Sequence, residues 1–213
     1  MGLLLCTSCG TSTKEKVKTA KPLKDTAAFV NQTDSDTIAT ERTPEINKVE
    51  GEDVIALSQS ILFELQHGNF EAWSKNVHSK FGLAISPYSY LYDLRTFQPE
   101  DISEFYKSDS IFYWGQYDAS EDSILMTWKD YFINFVNCAD FTNNAKITYN
   151  MSANDGNSLN NFEDFFPNAI YVDFHIEGTE EYGFMDWKTL RLGFQHHKGK
   201  THLMAIIHNE WTI

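Results

Sequence analysis

The chain is short of cysteine, of long apolar runs and of basic residues, and each shortage limits what it can be. Of its three cysteines only Cys138 lies in the body of the sequence, so no internal disulfide forms there. No segment approaches the roughly 20 consecutive apolar residues that span a bilayer. The 17 Lys and Arg residues are outnumbered by 30 Asp and Glu.

The acidic excess is confined to one part of the chain. Residues 1–50 contain seven basic and seven acidic residues, so the whole net charge of −13 falls on residues 51–213. An acidic domain repels phosphate backbones and anionic headgroups. The composition therefore predicts that nucleic acid is not a partner, and solubility explains most of the acidity.

Motifs of common enzyme chemistries are also missing. The sequence has no Ser-centred nucleophile elbow, phosphate-binding loop or dinucleotide fingerprint, and its body has no paired-cysteine metal motif. Cys138 follows the apolar run 131–136, which predicts a small buried residue rather than a nucleophile. These absences lower the expectation of catalysis and predict no cofactor.

The first nine residues carry a pattern that bears on where the protein is located. A short apolar patch, Leu3–Leu5, is followed by small residues and then by Cys9. This resembles the lipobox of bacterial lipoproteins, which implies a signal remnant at 1–9, lipidation of Cys9, a membrane as partner and a place in the cell envelope. The patch is short and no basic residue precedes it, which predicts a start codon upstream of Met1. The alternative is an N-terminus with two incidental cysteines.

Residues 10–50 and residues 51–213 differ in composition. The first stretch is rich in Thr, Lys, Asp and Ser, cannot bury enough surface to offset its ordering entropy, and is predicted to be a flexible linker. The second is predicted to be one domain, whose aromatic residues can fill a core. Its first helix carries apolar residues at helical spacing and is followed by Gly68. Asn69, Pro99 and Thr127 are predicted to begin three further helices.

The last third of the chain is predicted to form strands. Ile170–Gly178 alternates apolar and polar side chains, and 190–197 and 202–213 are joined by a Lys198-Gly199 turn typical of an antiparallel hairpin. Weaker strand candidates are 83–90, 110–114 and 146–151. Helices followed by antiparallel strands predict an α+β fold with helices packed on a curved antiparallel sheet. This arrangement is similar to the cystatin-like cone of ketosteroid isomerase and nuclear transport factor two; a two-layer sandwich is the alternative.

Three stretches resemble motifs of a group of bacterial exported proteins with no assigned reaction, several of them lipoproteins. In that group WGxYDGSG, GMDWRSLRL and a terminal GIIHDQWTI recur in this order, and the corresponding stretches here are Ile111–Asp118, Gly183–Leu192 and Ile206–Ile213. The resemblance covers roughly residues 76–213 and implies an exported single domain. Ser120-Glu121 departs from the Ser-Gly that the group often has.

One polar constellation is a candidate for acid–base chemistry. Asp173 and His175 share a strand face, and Arg191 and His208 lie on the two strands that follow. Inward polar groups on neighbouring strands of a cone can line a pocket, where a carboxylate and an imidazole exchange protons. The favoured interpretation is instead a solvated sheet face with a cross-strand Asp–Arg pair.

Other candidates are weaker. Of the hairpin histidines, only one of His196 and His197 can join His202 on one face, so no metal site is predicted. The loop 118–122 lacks the glycine and the glutamate of a calcium-binding EF-hand. Burial is the default for the large aromatic residues, which are Trp114, Tyr117, Trp128, Trp187 and Trp211.

The sequence as a whole predicts an envelope protein whose domain binds a small ligand or an envelope protein without catalysis. The alternative is a small isomerase or hydrolase that uses Asp173, His175, Arg191 and His208. A shared fold supports neither, because one fold hosts many functions.

Overall fold

Helices pack on both sides of one sheet, with most of them on the same face. The structure is a computed structural model, and it describes residues 44–92, 94–153 and 158–212. In that part of the chain the helices are α1 (Pro44–Gln66), α2 (Phe70–Trp73), α3 (Pro99–Lys107), α4 (Trp128–Tyr131), α5 (Phe141–Asn144) and α6 (Phe162–Phe165). A π-helical turn, Phe132–Val136, continues α4, and 3₁₀ turns lie at Ser74–Asn76 and Glu180–Tyr182.

The strands form one main sheet and a separate hairpin. The main-sheet strands of the described residues are β1 (Leu83–Ser86), β2 (Arg95–Phe97), β5 (Lys146–Tyr149), β6 (Ile170–Ile176), β7 (Lys188–His197) and β8 (Lys200–Glu210). They lie in the order β2-β1-β8-β7-β6-β5, and all neighbours are antiparallel except β1 and β8. The hairpin consists of β3 (Phe112–Gln116) and β4 (Ser123–Met126).

Helix α1 contributes the predicted apolar stripe to the core. Val54, Ile61 and Leu65 are buried. The helix ends just before Gly68, whose φ of +65° is a left-handed conformation that glycine adopts without strain. Its first residue is Pro44, so the helix begins before the domain boundary predicted at residue 51.

All three predicted helix starts are confirmed, but one of the predicted caps is absent. Pro99 occupies the first turn of α3. The Thr127 hydroxyl accepts a hydrogen bond from the backbone N–H of Asp130 at 3.1 Å and caps α4. Asn69 does not cap α2, because its side chain makes no capping hydrogen bond. That short helix is instead held by the buried side chains of Phe70 and Trp73.

Aromatic side chains fill the space between the helices and the sheet. Trp114 stacks on Tyr131 with ring centroids 4.0 Å apart, and Trp128 stacks on Phe132 at 5.4 Å. Trp73, like Trp114 and Trp128, is almost completely buried. Much of the high aromatic content of the chain therefore packs the interior.

The opposite face of the sheet is covered as well. Tyr171 and Ala205 from the sheet pack with Phe162 and Phe166 in a second apolar cluster. Gly193 lies under Phe162, and a Cβ there would stand 2.9 Å from the ring and 3.0 Å from the Ala205 methyl group. The close approach of α6 to the sheet therefore requires glycine at this position.

The predicted α+β class is confirmed, and the helices lie across a sheet that is antiparallel apart from the β1–β8 pair. Lys198 and Gly199 have φ of +50° and +73°, the backbone that a tight hairpin turn requires. The helices of the described residues are all too short or too polar to cross a membrane. Strands β2 and β4 and helices α5 and α6 were not predicted, because each is only three or four residues long.

Candidate functional site

Asp173 and Arg191 form a buried ion pair. They are direct partners across β6 and β7. Arg191 donates from Nε to Oδ1 at 2.7 Å and from Nη2 to Oδ2 at 2.8 Å, so both carboxylate oxygens are engaged. The guanidinium group lies over the Tyr171 ring, 4.0 Å from its centroid. It also borders a cleft of about 480 Å³, where it donates to Asn160 and Ser152.

The prediction of a cross-strand Asp–Arg pair is confirmed, but the prediction that it lies on a solvated face is wrong. Asp173 is 1% exposed and His175 is 4% exposed. Ala153 donates its backbone N–H to Asp173, and the Trp187 ring lies 5.9 Å from that of His175. His175 Nδ1 lies 2.8 Å from the Thr189 hydroxyl oxygen. Burial lowers the pKa of His175, so its imidazole is neutral at neutral pH.

His208 lies on the other face of the sheet. The β7–β8 register pairs His208 with Leu190 and Arg191 with Ile207, so His208 faces the helices and Arg191 does not. Its ring meets Phe135 edge-on at 5.5 Å. The predicted constellation of Asp173, His175, Arg191 and His208 therefore does not converge on one pocket.

His208 instead holds a loop. Its Nδ1 lies 2.9 Å from the carbonyl oxygen of Pro87. A carbonyl oxygen only accepts, so Nδ1 carries the proton and donates it to Pro87. Nε2 has no hydrogen-bond partner among the described residues and lies 3.9 Å from Glu210 Oε2, which Lys188 also contacts. Burial lowers the pKa of His208 to about 4.

Two histidines of the β7–β8 hairpin lie close to His78, a histidine that was not among the candidates from the sequence. The rings of His197 and His202 lie 5.0 Å and 5.3 Å from that of His78, while His196 is exposed. His78 Nδ1 accepts two backbone N–H groups at 3.1 Å, so the proton of the neutral ring sits on Nε2. A ring with this tautomer does not coordinate a metal through Nε2. Consistent with this, no metal-binding group is found among the described residues.

Of Cys138 and Cys9, only Cys138 lies within the described residues. Cys138 is half-buried, and burial raises the pKa of its thiol to about 11, so it stays protonated at neutral pH. This agrees with the prediction of a packing residue. Cys9 lies outside the described residues.

The loop that follows β1 carries three tyrosines at spacing two. Tyr88 is half-buried, whereas Tyr90 and Tyr92 are 49% and 81% exposed. The pattern Ser86-Pro87-Tyr88-Ser89-Tyr90-Leu91-Tyr92 is present in the sequence, but its strand-like alternation predicts a continuation of the strand 83–90 rather than a loop. Leu91 alone points fully inward, at 0% exposure.

Hydrogen bonds brace this loop against the rest of the molecule. The Ser89 hydroxyl donates to the carbonyl oxygen of Leu159 at 2.7 Å. The backbone N–H of Leu91 donates to Asn161 Oδ1, also at 2.7 Å. With the bond from His208 to Pro87, the loop is tied to both β8 and the chain that leads into α6.

The turn between β3 and β4 faces the tyrosine loop. The backbone N–H of Glu121 donates to the Tyr117 carbonyl oxygen at 2.8 Å, and that of Tyr117 donates to Asp122 at 2.9 Å. The turn gives Glu121 a φ of +57°, which favours glycine. Tyr117 is 40% exposed, so the default of burial that holds for Trp114, Trp128 and Trp187 does not hold for it.

Two adjoining clefts open between this loop and this turn, with volumes of about 260 and 290 Å³. They share Tyr88, Tyr90 and Asp118, and together we name them the tyrosine cleft. The other lining residues are Ser86, Pro87, Tyr92, Gly115, Gln116, Tyr117 and Glu121 in the first cleft, and Ser89, Ser158, Leu159, Asn209 and Thr212 in the second. Among the described residues, neither cleft is lined by Lys or Arg.

Comparison with known proteins does not indicate a function for the chain. No protein-family model matches the chain, and no curated protein matches it significantly.

Removing Asp173 is expected to destabilise the domain strongly, because Arg191 would stay buried without its counter-charge. We expect Asp173→Ala to lower the free energy of unfolding in urea by about 3–5 kcal/mol. Lys188→Met is the matched control, since it breaks the more exposed Lys188–Glu210 pair, and it should cost about 1 kcal/mol or less. Equal losses would contradict the burial of the Asp173–Arg191 pair.

Acid is expected to destabilise the domain through His78. The unfolded imidazole takes up its proton near pH 6.5, whereas burial lowers the pKa of folded His78 to about 4. Between these values the unfolded state binds more protons, so stability is lost as the pH falls. The loss from this group approaches about 3 kcal/mol below pH 4.

The measurement is urea unfolding at several pH values between 7.5 and 4. His78→Gln should reduce the pH dependence and leave the share of His208, whose pKa is also about 4. His196→Gln, which changes an exposed ring of the neighbouring β7–β8 hairpin, should leave the pH dependence unaltered. An unchanged slope in His78→Gln would rule out this origin of acid sensitivity.

Proposed function

We propose that this chain presents a non-catalytic, small-ligand-binding domain at the bacterial cell envelope. Its ligand site is the tyrosine cleft, and a lipid on Cys9 attaches it to a membrane. The observation that carries the binding proposal is the cleft itself, where aromatic rings and polar side chains face a preformed opening. The attachment rests on the resemblance of the first residues to a lipobox.

The lining of the tyrosine cleft suits a small organic molecule. Sites for such molecules combine apolar or aromatic walls with a few polar groups that fix the orientation of the ligand. Tyr88 and Tyr90 supply ring surface to both halves of the cleft, and Asp118 supplies a carboxylate to both. Gln116 and Asn209 add an amide group to one half each.

The braced loop lowers the cost of binding. A loop that is already held in its bound shape loses less conformational freedom when the ligand arrives. The bonds from His208 to Pro87 and from Ser89 to Leu159 do this for the tyrosine loop. Burial also raises the pKa of Tyr88 to about 12, so at neutral pH its hydroxyl is protonated, and it is hydrogen-bonded to the backbone of Asp118 across the cleft.

Charge restricts the class of ligand. Asp118 and Glu121 line the tyrosine cleft, and the described lining has no basic side chain. Residues 51–213 also carry the whole net charge of −13. An anionic ligand would be repelled, so the cleft suits a neutral or cationic ligand.

The geometry gives the acid–base alternative no support. Arg191 engages both oxygens of Asp173, and His208 lies on the other face of the sheet. An interaction domain is favoured by one observation, the exposed apolar side chains of Tyr182, Phe184 and Met185 between β6 and β7. Because this exposed surface has only three such side chains, it is used below for a control substitution and is not proposed as a site.

Ligand binding is tested by NMR on the ¹⁵N-labelled full-length chain. The probes are glucose, galactose, choline and glutamate, added separately to millimolar concentration. We expect saturable shift changes with at least one neutral or cationic probe, confined to residues 86–92 and 115–121, and none with glutamate. Tyr90→Ala should weaken the effect about tenfold or more, while Tyr182→Ala, an equally exposed tyrosine outside the cleft, should not. No response to any probe would overturn the proposal.

Lipid attachment is tested in bacteria that express the gene from its own start codon and are fed an alkyne fatty acid. The protein is expected to take up the label and to fractionate with membranes, because acyl chains provide stable anchoring. Cys9→Ala should abolish both results. Cys6→Ala is the matched control and should keep them. Labelling that survives Cys9→Ala, or that never occurs, would contradict the anchor.

A further inference from the structure

We propose that the ligand of the tyrosine cleft is an organic cation, a small molecule that carries a quaternary or protonated amine. The proposal rests on the function proposed above and specifies the class of ligand for the same site. It depends on exposed aromatic rings, on carboxylates beside them that make no ion pair among the described residues, and on the strained residue that holds one of these carboxylates.

The aromatic lining presents ring surface that nothing in the described structure covers. Tyr90, Tyr92 and Tyr117 are 49%, 81% and 40% exposed and border the same cleft. The face of an aromatic ring is electrically negative and attracts a cation placed over it. Several tyrosines around one opening are therefore suited to the spread charge of an alkylated amine.

Within the described residues, the carboxylates of the cleft have no counter-ion. Neither Asp118 nor Glu121 makes an ion pair within the described part of the chain. The neighbouring charges at Tyr88 are also negative, since Glu210 and Asp118 add to the effect of burial on its pKa. A ligand that enters this cleft removes water from the carboxylates, which costs free energy. A cation offsets this cost because it pairs with them, whereas a neutral sugar does not.

Glu121 occupies a position where its backbone is unfavourable. A φ of +57° costs a residue with a side chain roughly 1 kcal/mol, and glycine would avoid this cost. Strained residues of this kind cluster where a ligand is held. At this turn the strain places a carboxylate on the wall of the cleft, opposite the tyrosine loop.

The test compares two probes of nearly the same shape and different charge. Choline carries a quaternary ammonium group, and 3,3-dimethylbutan-1-ol has a carbon atom in its place. Both are titrated into the full-length chain and followed by NMR at low and at physiological salt. Choline is expected to bind at least about tenfold more tightly than the alcohol, with the difference shrinking as salt is added.

Substitutions in the cleft separate charge from shape. Glu121→Gln and Asp118→Asn should each weaken choline binding about three- to tenfold and leave the alcohol unaffected, while Glu181→Gln, an exposed control outside the cleft, should change neither. Glu121→Gly should also weaken choline binding, yet raise the thermal midpoint by about 2–4 °C because it relieves the backbone. The midpoint shows that any lost binding is not lost folding.

The outcomes discriminate between the two proposals. Equal affinity for choline and the alcohol, or binding of the sugars alone, would overturn the cation proposal and leave the tyrosine cleft as a ligand site. Choline binding that Glu121→Gln and Asp118→Asn do not weaken would also overturn it. If neither probe nor any sugar binds, both proposals fall.

Discussion

The parallel pairing between β1 and β8 positions the tyrosine loop and the β8 side of the tyrosine cleft. β1 runs parallel to β8, with Ile85 beside Ile206 and Ser86 beside Ile207. This pairing ends where Pro87 comes next to His208, and the hydrogen bond between them starts the tyrosine loop. Without the parallel pair, the loop would lose its fixed origin, and the residues of β8 that follow His208 would no longer form a wall.

A packed interior explains why the candidate site lies at the edge of the fold. The space between helices and sheet is occupied by Trp73, Trp114, Trp128 and their aromatic neighbours. Titratable groups that reach this interior, such as His208, are consequently neutral and engaged with the backbone. The clefts therefore lie among the loops beside the strand ends, where short segments meet without filling the space between them.

The sequence was sufficient for the fold class because its strongest patterns were periodic. The stripe of α1, the alternation of β6 and the Lys198-Gly199 turn each specify one kind of element. Three or four residues carry too little periodicity to predict an element, so short helices were predicted only where a residue marks their start, as Asn69 and Thr127 do. The β1–β8 pairing also escaped, because it joins residues more than a hundred positions apart and depends on no local pattern.

The candidate site was harder to predict than the fold. β8 is apolar on both faces from Leu203 to Ile207, so its sequence does not tell which face His208 takes. The face that His208 takes depends on the register shift between Gly193 and Phe194, which is visible only in the structure. The polar residues of β6 gave the Asp173–Arg191 pair correctly, but nothing local revealed that a distant segment covers them.

The stem and the tip of the β3–β4 hairpin have different roles. Its stem is anchored by Trp114, which is fully buried and donates from its indole N–H to the Met126 carbonyl oxygen at 3.0 Å. Its tip, from Tyr117 to Glu121, is exposed and leaves the core untouched. The tip can therefore accept replacements without loss of the scaffold, so the ligand preference proposed for the cleft can change through single substitutions there. The Glu121 position is one such place, because its backbone accommodates glycine and yet carries a charge here.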